Sequence, residues 1–423
     1  MLNSRKIAPL VVGAFVLALI VPASLAFAQD DPVNLRFSYW RMATEPQATI
    51  MNEIIAEFET ENPHISIEVE PTPQGSVVDV VTTQILAGSP PDVFVISHTD
   101  VPRFVAMQGL QPIDEYLDAD PEFTSALIPQ GIQLNTVDGT AYCLPHAFGS
   151  NALFYNRDLF ERAGLPDRAP RDAEEFIEFG RAIDALGPDI HAFALFGGMD
   201  VGTDVRFFEL FWALGVDAIL PQEGIVNIDT PEGIEAFQFI VDLHRVHGIT
   251  TPNPTEINYP TVLRLFTNGN LGMFQANVGS IAPIEDQAPN LRFSVAPLKW
   301  TEVGAKIDGA GFCIARGSQH PEEAWLFVRH VMGFEAIRDW SIPLSYLPPR
   351  QDVAELPGIQ ENPYLKIYFE DIIPYSKPTP ASLEFGELME IARRELAVAL
   401  LGQKTAEEAA RDAGEAMRAV LAR

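Results

Sequence analysis

Residues 141–160, AYCLPHAFGSNALFYNRDLF, decide how the rest of the chain is read. Tyr142 and Leu144 open the stretch as a strand-compatible run. Pro145, His146, Gly149, Ser150 and Asn151 interrupt it, Leu153, Phe154 and Tyr155 resume it, and Asn156-Arg157-Asp158 ends it. Two short strands around a polar, glycine-containing break suit a segment that leaves one domain and enters another. Such a crossing would lay residues 146–151 on the floor of an interdomain cleft, where small-molecule sites concentrate. On these residues alone, an interior hairpin without function is the alternative.

Upstream, Val33, Leu35, Phe37 and Tyr39 alternate with polar residues, a strand ending at Trp40-Arg41. Met51, Ile54, Ile55 and Phe58 follow at helical spacing, and Asn62-Pro63 stops the helix. Ile65, Ile67 and Val69 alternate again, residues 77–87 read as a second helix, and residues 93–96 as a buried strand. Strand, helix, strand, helix, strand with short loops predicts an α/β sheet whose ligand loops lie at the strand C-termini. Trp40 and Ser97-His98 fall at two such ends.

Downstream, Asp172-x-x-Glu175 starts a helix. Asp204-Val205-Arg206-Phe207-Phe208 leads from a glycine loop into an aromatic helix. Thr230-Pro231 and Tyr259-Pro260 start two more. Residues 271–276 read as a strand ending at Asn277. The glycine-led strand 309–315 resembles a second crossing, and the proline-marked loop between 343 and 349 a third. Thr405-x-x-Glu408 caps the last helix.

The chain has 423 residues, which predicts two domains. Arg5 and Lys6 precede an apolar run over residues 7–27 that ends in Ala26-Phe27-Ala28, the pattern of a cleaved export signal covering residues 1–28. No cysteine follows the run, so a lipid anchor on a new N-terminal cysteine is excluded, and the mature chain is expected to be periplasmic or extracellular. Removing residues 1–28 takes away two basic and no acidic residues, moving the formal charge from −30 to −32. Nucleic acid and anionic membrane surfaces are poor partners for such a chain. Cys143 and Cys313 are the only cysteines. Both sit in apolar runs, and two buried thiols are favoured over a disulfide.

No G-x-S-x-G elbow, H-E-x-x-H helix or phosphate-binding glycine loop is present. His244-x-x-His247 lies in a last helical turn, where histidine suits the helix dipole better than it signals a metal. Neither metal nor cofactor is expected. What remains are aromatic and polar residues at strand ends and loop starts: Trp40, His98, Phe148, Asp204, Arg206, Tyr259, Asn277 and Phe312. Sugar sites use this mixture, with a ring against the C–H face of a pyranose and planar polar groups on its hydroxyls. Core packing is the competing reading at each position.

Five segments carry a resemblance that spans nearly the whole chain: LAGSPPDVFVI (86–96), LPHAFGSNALFYNRDLFERAGLP (144–166), YPTVLRLFTNGNLGMF (259–274), GAGFCIARGSQHPEEAWLFVRHV (309–331) and GQKTAEEA (402–409). The chain resembles the extracellular solute-binding proteins of ABC importers, the family that includes maltose-binding protein and other sugar binders. The resemblance implies an α/β periplasmic-binding-protein type II fold. It implies two lobes, residues 29–147 with 312–345 and residues 148–311 with 346–423, joined by hinge crossings. It also implies a non-enzymatic monomer that captures a sugar and delivers it to the permease subunits. Cleft positions carried over from the family are Trp40, Arg41, His98, Phe148, Asp204, Arg206, Tyr259, Asn277, Gly311 and Phe312. Asn277-Val278-Gly279-Ser280 stands where many sugar binders have tryptophan, which favours a small saccharide over a long oligosaccharide. Arg41 and Arg206 keep a glycerol-phosphate ester open. The rival from another class is a secreted carbohydrate-processing enzyme.

Overall fold

In the computed structural model, which describes residues 32–73, 76–198 and 201–423 with the side chains of 201–205 excepted, the N-terminal alternation becomes a parallel sheet. The export signal expected over residues 1–28 lies outside the described residues. β1 (Val33–Ser38), α1 (Gln47–Glu61), β2 (Ile65–Glu70), α2 (Val77–Leu86) and β3 (Val93–Ser97) follow in turn, and β1 pairs in parallel with both β2 and β3. Asn62, forced out of helical geometry by Pro63, closes α1.

β4 (Cys143–Asn156) is one strand, not the expected two. After it come α3 (Ala173–Asp184), β5 (His191–Ala194), α4 (Val201–Ala213), α5 (Pro231–Arg245), α6 (Tyr259–Thr267), β6 (Leu271–Asn277), β7 (Phe293–Ala296) and β8 (Lys306–Ile314). The chain ends with α7 (Pro321–Val331), α8 (Phe334–Leu344), β9 (Lys377–Pro378), α9 (Phe385–Leu400) and α10 (Ala406–Leu421). Asp172, Thr230 and Thr405 each accept a hydrogen bond from the backbone N–H three residues on, capping α3, α5 and α10. Glu408 reaches back to complete a capping box at Thr405.

Among the described residues a nine-stranded sheet runs β2-β1-β3-β8-β4-β6-β5, with β7 also on β4 and β9 on β8. β4 and β8 are antiparallel, pairing Cys143 with Cys313, Leu144 with Phe312 and Pro145 with Gly311, then Phe148 with Gly309 and Gly149 with Asp308. The register shifts between Gly311 and Gly309, leaving one extra residue on β4, a β-bulge. The polar residues of β4 do not break it because β8 keeps supplying partners across them; Ser150 Oγ also donates to Lys306 O at 2.7 Å.

Among the described residues three hydrophobic clusters form. The first gathers β1, β3, the start of β4, the end of β8, α1, α7 and α8. Beyond Gly149, β4 alternates between the other two. Leu153 and Tyr155 join the cluster of α3, α4, α5, α9 and α10, while Ala152 and Phe154 join Phe266, Phe274 and Val295. The chain passes between the cores a third time at Leu344, in the first, and Leu347, in the second, whose carbonyl accepts from Phe148 N at 2.9 Å. Val353 packs back on the first core before Ile359 rejoins the second, so this passage extends beyond residue 346.

Cys143 and Cys313, expected as separate buried thiols, form a disulfide. They oppose each other in register on β4 and β8 with Cα atoms 4.4 Å apart, within bridging range. Apolar patterning announces both strands, but their mutual register is not local information.

Candidate ligand-binding cleft

Where β4 and β8 run between the cores, a cleft of about 380 Å³ opens. Residues 146–149 of β4 and 308–310 of β8 form its floor. The first core contributes Trp40 and Arg41 just past β1, Val77 and Val78 of α2, and Ser97 and Asp100 at the end of β3. The second contributes Asn277 and Val278 at the end of β6, and the third passage adds Tyr346. β1, β3 and β6 thus all present their C-terminal ends, where backbone leaving a sheet frees side chains for a ligand.

Trp40 edges the cleft but is only 9% exposed, with its ring 5.3 Å from that of Tyr39 in the first core. The Arg41 guanidinium lies 5.8 Å from the centre of the Tyr346 ring, and no described carboxylate forms an ion pair with it. Asn277 Oδ1 accepts from Gly279 N at 3.1 Å. Phe148 touches the cleft with little surface, since its ring fills the space beside Gly131.

Two carboxylates in the cleft escaped the sequence reading. Asp100, half-buried, is pushed above the usual carboxylate range by burial, with Arg103 pulling the other way. Burial also pushes Asp308 up, but Lys306 and His98 outweigh it and hold the carboxyl below its ordinary range. Lys306 stands two residues earlier, on the same face of β8, and forms an ion pair with Asp308. Behind the floor a third acid, Glu209 of α4, is fully buried. It accepts from Asn151 Nδ2 (3.1 Å), Gln275 Nε2 (2.9 Å) and Lys306 N (3.2 Å), tying α4 to β4, β6 and β8. Burial pushes Glu209 up to about 7, against the pull of Lys306 and Asn151. The available signals were an acid directly before the glycine run of a crossing strand, and a lone acid inside the apolar run Phe207-Phe208-Glu209-Leu210-Phe211.

Other expected cleft residues sit elsewhere. His98 is 2% exposed, and its ring nitrogens lie 3.2 Å from Gly309 O and 3.3 Å from Thr379 O. The chain turns at once into a 3-10 segment after β3, which puts His98 beneath the floor and leaves Ser97 and Asp100 on the cleft. Burial lowers its pKa, opposed by Asp308. Gly311 and Phe312 lie past the bulge, inside the first core, where a Cβ at 311 would stand 2.7 Å from that of Cys143. α4 begins at Val201, so Asp204 and Arg206 belong to the helix and not to the loop before it. The side chain of Asp204 lies outside the described residues. Arg206 is buried; its Nε donates to Gln275 O at 3.0 Å and its guanidinium covers Phe196 at 4.2 Å. The Tyr259 hydroxyl pairs with Ser280 Oγ at 2.6 Å. Neither Arg206 nor Tyr259 lines the cleft. Of the ten expected residues, the structure brings Trp40, Arg41, Phe148 and Asn277 together there.

Over residues 43–334 the chain matches the family model described as bacterial extracellular solute-binding protein. It is 28% identical to a protein of Brucella abortus (strain 2308) whose name specifies binding but no ligand, over all of both chains. An ABC transporter solute-binding protein of Thermotoga lettingae TMO, solved with α-D-tagatose, superposes with a TM-score of 0.77 at 23% identity, covering 92% of this chain and 99% of that one. UgpB of Mycobacterium tuberculosis, solved with glycerophosphocholine, gives 0.79 at 19% identity, covering 92% and 98%.

Proposed function

The chain belongs to the bacterial extracellular solute-binding protein family, and on that premise we propose that it captures a small sugar in its cleft and delivers it to the permease of an ABC importer. The fold is the type II periplasmic-binding-protein arrangement, two α/β lobes joined by hinge crossings around a cleft. The observation that carries the sugar reading is the composition of that cleft. The Trp40 and Tyr346 rings meet Arg41, Ser97, Asp100, Asn277 and Asp308, drawn from both lobes and the crossings. Rings shield the C–H faces of a saccharide, and the polar groups satisfy its hydroxyls. A solute touching both lobes stabilises the closed arrangement by contacts the open one lacks, so hinge closure follows binding.

No helix among the described residues is long and apolar enough to cross a membrane; on this proposal the permease subunits supply the path across it. Asp100 and Asp308, shifted in opposite directions within one cleft, are also what a sugar-cleaving enzyme would use as acid and base. One assay separates the two readings. The protein is incubated with a panel of mono- to trisaccharides, and both melting temperature and product formation are followed. A saturable rise in melting temperature without product is expected. Turnover would replace the binder with an enzyme, and no response to any saccharide would remove the sugar.

A further inference from the structure

We propose that Asp308 is the specificity-determining residue of the cleft, admitting neutral, hydroxyl-rich solutes and rejecting phosphate esters; this rests on the solute-capture reading. Asp308 opposes Gly149 across the β4–β8 ladder. A Cβ at position 149 would stand 1.9 Å from Asp308 Oδ1 and 3.1 Å from Asn277 Nδ2. Only glycine leaves room for the carboxylate to lie over the floor backbone, and Asn277 reaches the same spot from the other lobe. Asp308 Oδ2 is engaged by Lys306, yet the side chain keeps 27% of its surface exposed. Its negative charge is therefore fixed in place, with one oxygen left over the floor.

That pairing matches one ligand chemistry. A carboxylate oxygen can only accept hydrogen bonds and an amide Nδ2 can only donate. A hydroxyl does both, so neighbouring hydroxyls on a sugar satisfy Asp308 and Asn277 together. Phosphoryl oxygens of an ionised ester only accept, and they meet Asp308 as like charge. Lys306 is already committed to Asp308, and Arg41 shares the cleft with the carboxylates of Asp100 and Asp308. Discrimination of this kind comes as much from repulsion of the wrong solute as from attraction of the right one.

The test is calorimetry on wild type, Asp308→Asn and Gly149→Ala, each first checked for an intact unliganded melt. The neutral probes are a mono- and disaccharide panel including D-tagatose and maltose; the anionic probe is sn-glycerol 3-phosphate. Wild type is expected to bind a neutral sugar and to ignore glycerol 3-phosphate. Asp308→Asn should weaken sugar binding roughly tenfold or more and raise the response to glycerol 3-phosphate, because Lys306 is released. Gly149→Ala, which displaces the carboxylate, should weaken sugar binding likewise. Tight binding of glycerol 3-phosphate by wild type overturns the proposal even if neither variant folds. So does sugar affinity unchanged in Asp308→Asn, which leaves solute capture standing. Wild type that binds no probe overturns the sugar reading and this inference with it.

Discussion

Tyr39 donates its phenolic hydroxyl to His146 Nε2 at 2.7 Å, while His146 Nδ1 lies 3.2 Å from the Ala310 carbonyl oxygen. A carbonyl only accepts, so Nδ1 carries the proton and the buried ring is neutral. The pair fastens the end of β1 to both crossing strands beside the bulge. Burial, then the charge of Arg41, lowers the His146 pKa from 6.5 to about 3. Between those values the unfolded chain binds more protons than the folded one, so this stability is present above pH 6.5 and lost as pH falls towards 3. Urea melts at stepped pH should show the loss, and His146→Gln should flatten it. An equally steep slope in the variant would assign the acid lability to other groups. Tyr39→Phe, which leaves Nε2 without its donor, should cost about 1–3 kcal/mol at neutral pH.

Glu209 works in the opposite direction. Its folded pKa of about 7 lies above the ordinary 4.5, so the folded state holds the extra proton between them. Its stabilising contribution is complete below pH 4.5 and lost as pH rises through 7. Melting temperature followed from about pH 4.5 to 8 should show that decline in wild type and a smaller one in Glu209→Gln. Identical profiles would show that the carboxyl does not titrate there.

Trp40 belongs to the cleft and to the first core at once. At 9% exposure it cannot be truncated as a free platform would be. Trp40→Ala should therefore cost about 3–5 kcal/mol of stability, besides weakening sugar binding roughly ten- to a hundredfold. Trp40→Phe keeps most of the packing and separates the two effects. Unchanged affinity in that variant, by calorimetry, would confine the indole to the core.

The disulfide joins the two crossing strands on the side of the first lobe. Replacing both Cys143 and Cys313 by alanine should lower stability by about 2–5 kcal/mol. Sugar affinity should stay the same, since neither residue lines the cleft. Intact mass under native and reducing conditions reads the bridge directly, and two free thiols in the native protein would refute it.

Most elements were legible because their signals are local: alternation for β1, helical spacing with Asn62-Pro63 for α1, and Thr405-x-x-Glu408 for α10. Trp40 and Arg41 were legible for the same reason, as the residues ending an alternating strand. The errors collect where a second strand decides the outcome. Gly311 and Phe312 share β8 with the floor residues, but beyond the bulge in β4 they pair with Pro145 and Leu144 in the first core, and that pairing is not local information. His98 was misplaced by a single turn of chain after β3. Asp308 gains its meaning from Gly149, which it meets only through the ladder. The cysteine bridge was missed on the same ground.

Ala409, Ala410, Ala413, Met417 and Val420 of α10 fill the core that Leu153 and Tyr155 of β4 begin. The first lobe likewise waits for β8, which lies between β3 and β4. Neither lobe can therefore be finished in the order the chain is made. A polypeptide emerging N-terminus first keeps apolar surface of the second lobe uncovered until α10 is released, and it remains a client for holdases and proteases until then. A chain stopped at Gly402 should stay in that unfinished condition, with limited proteolysis cutting first in the second lobe. If that truncated chain resists protease as the full one does, α10 is a late ornament on a core already closed.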